Sequence, residues 1–570
     1  MTATGATRAC STAVLVAGGG PAGLAAAAEL GSRGIGCVVI EPRGEVSHLR
    51  PRAKTTSVRT MEHFRRWGVA DALRAAAPLP VAWSQRVTFC ESLSGRRITD
   101  FENAFGLTTE RDDRFAEAGQ QVPQPVVEEV LREHLRCLPG VEVRLGHAVT
   151  ALSQDADGVT VTVHERGGNC YDVRARFVLG CDGAGGVVRG KIGAAYAGRS
   201  DPRPNFNVVF RAPSLDTHLG PAVQYWVLGP AVSGLLGRLD LSGTWWAIIP
   251  GIGAAYGGAH ASGLITGLVG RPFEHQIVAS DPWTARMLIA DRFADRRVFL
   301  VGESAHVNPP WGGHGFNACV GDAVNIAWKI AAVEQGWASA RLLDSYEAER
   351  RGVIEQTVAS AEANMRSLAG DLLPDAQAVQ RAKRAEFHSL GLVLGYSYAG
   401  SPVVQPVGGR PAGGSRPGQA GSARHAGSAR QAGSIDQAGS IDQAGSARQA
   451  GSTEQADSTI YTPTTEPGAR LPHQWLPDGS SLYDRLGTGF TLVGGVRDGG
   501  PGVASLADRA RRRGIPLSLV EPPPRSGLRR DEFLLVRPDQ HIAWRAGDAA
   551  DIDIDLAAGF PGRATLTATS

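Results

Sequence analysis

The stretch Gly302 to Asn317, GESAHVNPPWGGHGFN, sets a carboxylate and two histidines among two prolines and four glycines, a short way ahead of the smooth run NIAWKIAAV (325–333). A carboxylate at a strand end accepts hydrogen bonds from a polar ligand. A glycine-rich loop opening a helix brings backbone close to that ligand and offers it unpaired N–H groups at the positive end of the helix dipole. A second stretch is built for similar chemistry: Gly18-Gly19-Gly20-Pro21-Ala22-Gly23 is a G-x-G-x-x-G, whose glycines permit a tight turn and let a pyrophosphate rest on a helix start. Glu41 closes the strand that follows, where a carboxylate accepts from a ribose hydroxyl. A third, CDGAGGVVR, carries Asp182-Gly183 at the end of an apolar run with Arg189 just beyond.

These residues need elements to hold them. AVLVA (13–17), an Ala-rich helix after the glycine turn, and CVVIE (37–41) form a βαβ unit, the entry to a doubly wound sheet. VVEEVLREHLRCL (126–138) has helical spacing, VTVTVHE (159–165) alternates as a strand, and ARFVLGCDGAGG (175–186) and RRVFLVGESAH (296–306) each read as a buried strand ending in a turn. The segment after Gly315 is a helix to about Val333. Residues 200–280 are richer in Trp, Tyr and alternating apolar residues and read as an inserted sheet. The uncharged run Ser242 to Gly270 is long enough for a bilayer, but Pro250, His260 and its glycines interrupt it; a buried strand and loop is the expectation.

At 570 residues the chain should hold two or three domains. A net charge of +2 gives no electrostatic footprint for nucleic acid or a membrane surface. Basic charge comes almost wholly from Arg, with Lys only at 54, 191, 329 and 383, and the Ala and Gly excess hints at a GC-rich bacterial genome. Seven scattered cysteines, never as Cys-x-x-Cys, argue against a disulfide framework or a metal site and fit a reducing cytoplasm. No signal-peptide pattern opens the sequence. From Ala420 to Gln455 a hexamer recurs (AGSARH, AGSARQ, AGSIDQ, AGSIDQ, AGSARQ, AGSTEQ) with almost nothing apolar to bury, and it reads as a disordered linker within 401–460.

The three motifs in this order resemble the class A FAD-dependent monooxygenases, the aromatic hydroxylases related to para-hydroxybenzoate and phenol hydroxylase. The resemblance extends to NIAWKIAAV, LLDSYEAERR (342–351), LGYSYAGSP (394–402) and LVRPDQHIAWR (535–545). It implies an α/β fold: a Rossmann-like FAD-binding domain (1–80, 120–200 and 281–370), an inserted substrate-binding β-sheet domain (81–119 and 201–280), a helical connection (371–400), and a C-terminal thioredoxin-like α/β domain (461–570). It also implies cofactor contacts at Gly18, Gly20, Pro21, Ala22, Gly23, Glu41, Arg52, Gln124, Asp182, Gly302, Glu303, Gly313, Gly315, Phe316 and Asn317. Pro310, Trp311, Gly312 and His314 would lie on the loop beside the flavin, with His306 packing behind it. The family usually carries Asp where this chain has Glu303, so one extra methylene must be absorbed there.

The reaction so implied is reduction of FAD by NADPH or NADH, capture of O₂ as a flavin C4a-hydroperoxide, and attack on an electron-rich ring. The inserted sheet would wall the pocket, with Gln224, Tyr225, Trp226, Trp245 and Trp246 as substrate candidates and a bulky polycyclic phenol or aromatic polyketide as substrate. The C-terminal unit has no cysteine from 480 onward, which leaves it a packing or homodimerisation role. A Baeyer–Villiger or epoxidising enzyme would share this pattern, and a non-catalytic FAD-bound binding protein is a further alternative. A flavin halogenase would want W-x-W-x-I-P, and WWAIIP (245–250) has Ala247 in place of the second Trp.

Overall fold

The computed structural model describes residues 10–49, 54–367, 375–406, 457–495, 500–521 and 532–562. The hexamer tract and Arg52 lie outside the described residues.

The first sheet runs in the order 294–295, 298–300, 170–180, 10–17, 37–41 and 141–145, with the hairpin of 147–154 and 159–165 attached to strand Cys170–Gly180. Cys10–Ala17 is central, parallel to Cys37–Glu41 on one side and to Cys170–Gly180 on the other. The first helix, Pro21–Ser32, is almost wholly buried, because its run of alanines adds no bulk where it packs against the later helix His314–Glu334. Both helices begin at the same edge of the sheet, just past the ends of strands Cys10–Ala17 and Val298–Leu300. In an open parallel sheet this is the edge where ligands bind.

A second, eight-stranded sheet has the order 306–307, 276–290, 196–211, 244–250, 233–238, 224–228, 87–90 and 97–101. Its two long strands, Tyr196–Arg211 and Gln276–Ala290, pair antiparallel with an irregularity between Ser200 and Pro204. The uncharged run corrects the expectation of a strand and loop: strand Thr244–Pro250 is followed by a helix, Ala254–Val269, that packs on the outer face of this sheet. Its buried positions, Gly257, Ala261, Leu264, Ile265 and Leu268, follow the helical period, and its glycines, which suggested a loop, serve close packing. A Cβ on Gly257 would lie 2.5 Å from the Phe206 ring. No helix among the described residues is long and apolar enough to cross a membrane.

The C-terminal unit is a four-stranded sheet in the order 517–520, 490–493, 533–536 and 542–546. Helix Pro501–Arg513 makes the parallel crossover between Phe490–Val493 and Leu517–Val520, and an antiparallel pair completes the sheet.

Buried charge ties this unit to the first. The run NIAWKIAAV looks apolar, yet Ala318, Asp322, Asn325 and Lys329 form one stripe of helix His314–Glu334, facing helix Arg341–Arg366. Glu349 on the second helix accepts from Asn325 Nδ2, Lys329 Nζ and Ser401 Oγ, each at 2.7 Å, and from both terminal nitrogens of Arg537 at 2.7 and 2.9 Å. Burial alone would raise the Glu349 carboxyl, but Arg537 and Lys329 hold it well below the usual carboxylate range. Glu349→Gln leaves both cations buried with no full countercharge, which should cost about 3–5 kcal/mol in chemical denaturation at neutral pH. A depressed carboxyl stabilises above the unfolded carboxylate pKa and loses that contribution as pH falls through its folded value. The gap between wild type and variant should therefore shrink on acidification.

Candidate active site

At the first helix start, Gly18 has φ +109° and a Cβ there would sit 2.3 Å from the Cys181 carbonyl, so this turn admits glycine only. Gly20 differs: its backbone is extended, and a Cβ would meet nothing within 4 Å. Open space therefore lies in front of Pro21–Ser32, whose start has no side-chain cap among the described residues. Ala22, one turn in, packs toward Gly302. Glu41 is buried and accepts from the Gly19 N–H at 2.7 Å and from Arg43 Nε at 2.7 Å. Arg43 reaches on to Glu128 at 3.2 Å, and Glu128 takes the Gln124 amide at 2.8 Å. Glu41 and Gln124, far apart in sequence, thus belong to one network through Arg43, a residue not anticipated from the sequence. Asp182 accepts from the Val188 N–H at 2.9 Å through one oxygen, while its other oxygen is buried without a partner among the described residues. Burial pushes its carboxyl up, against the backbone N–H groups that stabilise the anion.

The second helix start is set by Asp322. Its carboxylate accepts from the Gly302 N–H at 3.2 Å, lies 2.7 Å from His306 Nε2, and pairs with Arg350 Nε at 2.7 Å. Burial would raise it, but Arg350 and His306 keep it low. His306 accordingly sits behind the loop, 1% exposed. Glu303 is exposed on the turn Gly302–Ser304, so its extra methylene extends outward without crowding the core, and its carbonyl accepts from Tyr196 OH. Beyond exposed Pro310 the loop turns through Gly312 and Gly313, both at positive φ, and the helix opens at His314 with no side-chain cap. Gly315 and Phe316 are half-buried in the first turn. The Asn317 side chain is spent inside the protein, accepting from the Ser57 N–H and Thr60 hydroxyl and donating to the Thr55 and Gly313 carbonyls. Its role is to fix the loop against the segment after residue 54. His314 is buried, its Nε2 has no partner among the described residues, and burial lowers its pKa to about 4, so the ring is neutral at physiological pH.

Opposite this loop stands an aromatic wall. Trp311 packs with Trp283, ring centroids 5.9 Å apart, and shares a cluster with Phe89, Phe101, Trp226, Trp246 and Phe387. The substrate candidates divide here. Successive strand residues face opposite ways, so Trp226 and Trp246 look toward Trp311, and register places Gln224 with them. Tyr225 and Trp245 are corrected out of the wall: both pack under helix Ala254–Val269, and Tyr225 OH donates to the Gly220 carbonyl at 2.6 Å. Three wall residues escaped the sequence reading: Trp283, Lys54 over the Trp246 ring, and Lys383 over the Trp226 ring. Lys383 pairs with Glu386 at 2.6 Å, on the helix Ala376–Phe387 that closes this side.

Two uncapped helix starts at one sheet edge, with open space before Gly20 and an unsatisfied carboxylate oxygen on Asp182, suit a dinucleotide. Comparison with known proteins agrees. Residues 11–361 match the family described as FAD binding domain, and residues 464–560 match that described as aromatic-ring hydroxylase, C-terminal. The chain belongs to the FAD-dependent aromatic monooxygenases. It is similar to the FAD-dependent monooxygenase apdD of Emericella nidulans, 28% identical over 96% of this chain and 90% of that one. A putative polyketide hydroxylase of Streptomyces halstedii is 32% identical over 69% of this chain and 71% of that one. Among solved structures, the rebeccamycin biosynthetic enzyme RebC with reduced flavin superposes with a TM-score of 0.79, at 28% identity, over 97% of this chain and 99% of that one.

FAD is thus the cofactor of this monooxygenase, with NAD(P)H as reductant. Substituting Gly20 separates binding from folding. Gly20→Val should leave the apoprotein's melting temperature nearly unchanged while weakening FAD at least about ten-fold, roughly 1.4 kcal/mol, by titration of the apoprotein. Gly18→Ala should instead lower the melting temperature, since the backbone and the Cys181 carbonyl both reject a side chain.

Proposed function

We propose that this enzyme hydroxylates a polycyclic phenol or aromatic polyketide, using NADPH or NADH and O₂. The observation that carries the reading is the cluster of Trp226, Trp246 and Trp283 gathered around Trp311, which stands on the loop that opens helix His314–Glu334. Four indoles offer an extended apolar lining suited to a fused ring system. When bound, the flavin supplies the activated oxygen. The chain's own residues do the remaining work. Gly18, Gly20, Pro21, Ala22, Gly23, Glu41, Gln124 and Asp182 would hold the dinucleotide, with Arg43 joining the set. At the turn after Gly302 the Glu303 carboxylate would accept from the flavin's hydroxyl chain, and beyond Gly313 the first turn of the helix, Gly315 and Phe316, would present N–H groups to the anionic edge of the reduced ring. Asn317 keeps that helix start in place, and the apolar wall excludes water from the reacting atoms.

The named polyketide hydroxylase among its relatives supports the substrate class. A cytoplasmic enzyme, working as a homodimer, fits the free cysteines and the C-terminal unit. The test is anaerobic reduction of the purified enzyme's flavin by NADPH, and then NADH, with and without a panel of polycyclic phenols. One phenol should speed reduction at least about ten-fold, about 1.4 kcal/mol off the barrier, and take up a single labelled atom from O₂ on aeration. A flavin that no phenol renders reducible by either nucleotide would overturn the reading. Product carrying oxygen inserted into a ring would reassign it to Baeyer–Villiger chemistry.

A further inference from the structure

The aromatic wall holds hydrogen-bond donors that nothing among the described residues answers. The indole N–H groups of Trp226 and Trp246 are buried and without partners among the described residues, and Trp226 is only 6% exposed. A buried donor left unpaired is costly, and an acceptor brought to this wall would relieve that cost. Lys54 stands on the same wall. Its Nζ lies 4.9 Å from the centroid of the Trp246 ring and donates to the carbonyls of Val223 at 2.6 Å and Arg238 at 3.4 Å. An ammonium has three N–H groups, so one is still unassigned. The next residue, Thr55, touches the loop beside the flavin: a Cβ on Gly313 would lie 2.9 Å from its side chain.

The surrounding charges leave Lys54 as the free cation of this wall among the described residues. Strands Thr55–Thr56, Gln120–Gln121, Gln224–Leu228 and Thr244–Pro250 bring it no ionisable side chain apart from Tyr225, which faces the other way. Arg238, on strand Ser233–Arg238, turns its guanidinium to the opposite face, 4.4 Å over Trp245, and donates to the Leu215 carbonyl. Lys383, 4.2 Å over Trp226, is neutralised by Glu386. The choice of residue is also informative. Of 58 basic residues only four are lysines; Lys329 and Lys383 are paired with glutamates and Lys191 is exposed. Unlike an arginine, a lysine at this place can give up its proton.

We propose that Lys54, beside the Trp246 indole, forms the site that receives an ionised hydroxyl oxygen of the substrate, a phenolate or enolate. The assignment rests on the aromatic-hydroxylase reading and narrows it to substrates bound through an acidic hydroxyl. Burial lowers the Lys54 pKa to about 7, so free amine is present near neutral pH. The phenol O–H bond breaks, its proton forms a new N–H bond with the Nζ lone pair, and the result is an ammonium–phenolate pair beside the Trp246 ring. No electrons are exchanged in this step, and the ring becomes richer in electrons before oxygen transfer.

Alizarin, a polycyclic phenol whose colour changes on ionisation, serves as the probe on the FAD-loaded enzyme. At a pH about one unit below the dye's own pKa, the wild type should bind it in the phenolate colour. Lys54→Arg should retain that colour, and Lys54→Met should bind at least about ten-fold more weakly and as neutral phenol. Reductive methylation with ¹³C-formaldehyde gives an independent reading, because the four lysines resolve into few resonances. Lys54 should titrate well below the exposed Lys191. This NMR measurement and Lys54→Arg decide the matter if Lys54→Met fails to retain flavin. The proposal is overturned if the wild type binds no alizarin or binds it neutral, if the phenolate colour survives in Lys54→Met, or if Lys54 titrates with Lys191. Its failure is distinct from failure of the hydroxylase reading, which shows instead as a flavin that NADPH and NADH cannot reduce with any phenol.

Discussion

Helix Arg341–Arg366 buries an anion and a cation at adjacent positions, Glu349 and Arg350, and the cofactor edge depends on what they hold. Neighbouring helix residues point about 100° apart, so the two side chains serve different partners. Arg350 fixes Asp322, and Asp322 fixes the Gly302 N–H and His306. Glu349 gathers Lys329, Asn325, Ser401 and Arg537. Charges taken out of water stabilise little by themselves, but once paired they are strongly penalised for moving apart. That penalty gives a glycine-rich loop, with little packing of its own, one defined position relative to helix His314–Glu334.

The wall and the helix starts divide the chemistry. The helix starts present backbone N–H groups, whose positions are set by the fold and depend on no side chain except through glycine's absence of one. The wall, as the proposed substrate surface, presents side chains, which can change without disturbing the backbone. RebC and this chain share an overall shape at 28% identity, as expected when backbone geometry carries the cofactor and side chains carry selectivity.

Much of the fold was legible because parallel strands are apolar throughout and the glycine motifs sit at fixed places relative to them. The strands Cys37–Glu41 and Val159–Glu165 lie where the alternation and apolar runs put them. Helix Ala254–Val269 was misread because glycine weakens an isolated helix, whereas here its absent side chain is what admits the Phe206 ring. The polar stripe in NIAWKIAAV was hidden for a related reason: one asparagine and one lysine among alanines look like surface residues until a second helix supplies Glu349. Tyr225 and Trp226 could not be assigned from their types, since each is aromatic and only the sheet's facing separates them. Lys54 and Arg43 carried no motif; their signal is that they meet residues distant in sequence.

The Glu349–Arg537 pair also bears on inheritance. Arg537 belongs to the C-terminal sheet and Glu349 to the flavin-binding unit, so each half of the gene encodes a charge that is a liability without the other. Exchanging the C-terminal unit between relatives should therefore cost least where the incoming piece brings a cation to the same place. A C-terminal unit without that cation would leave Glu349 to Lys329 alone.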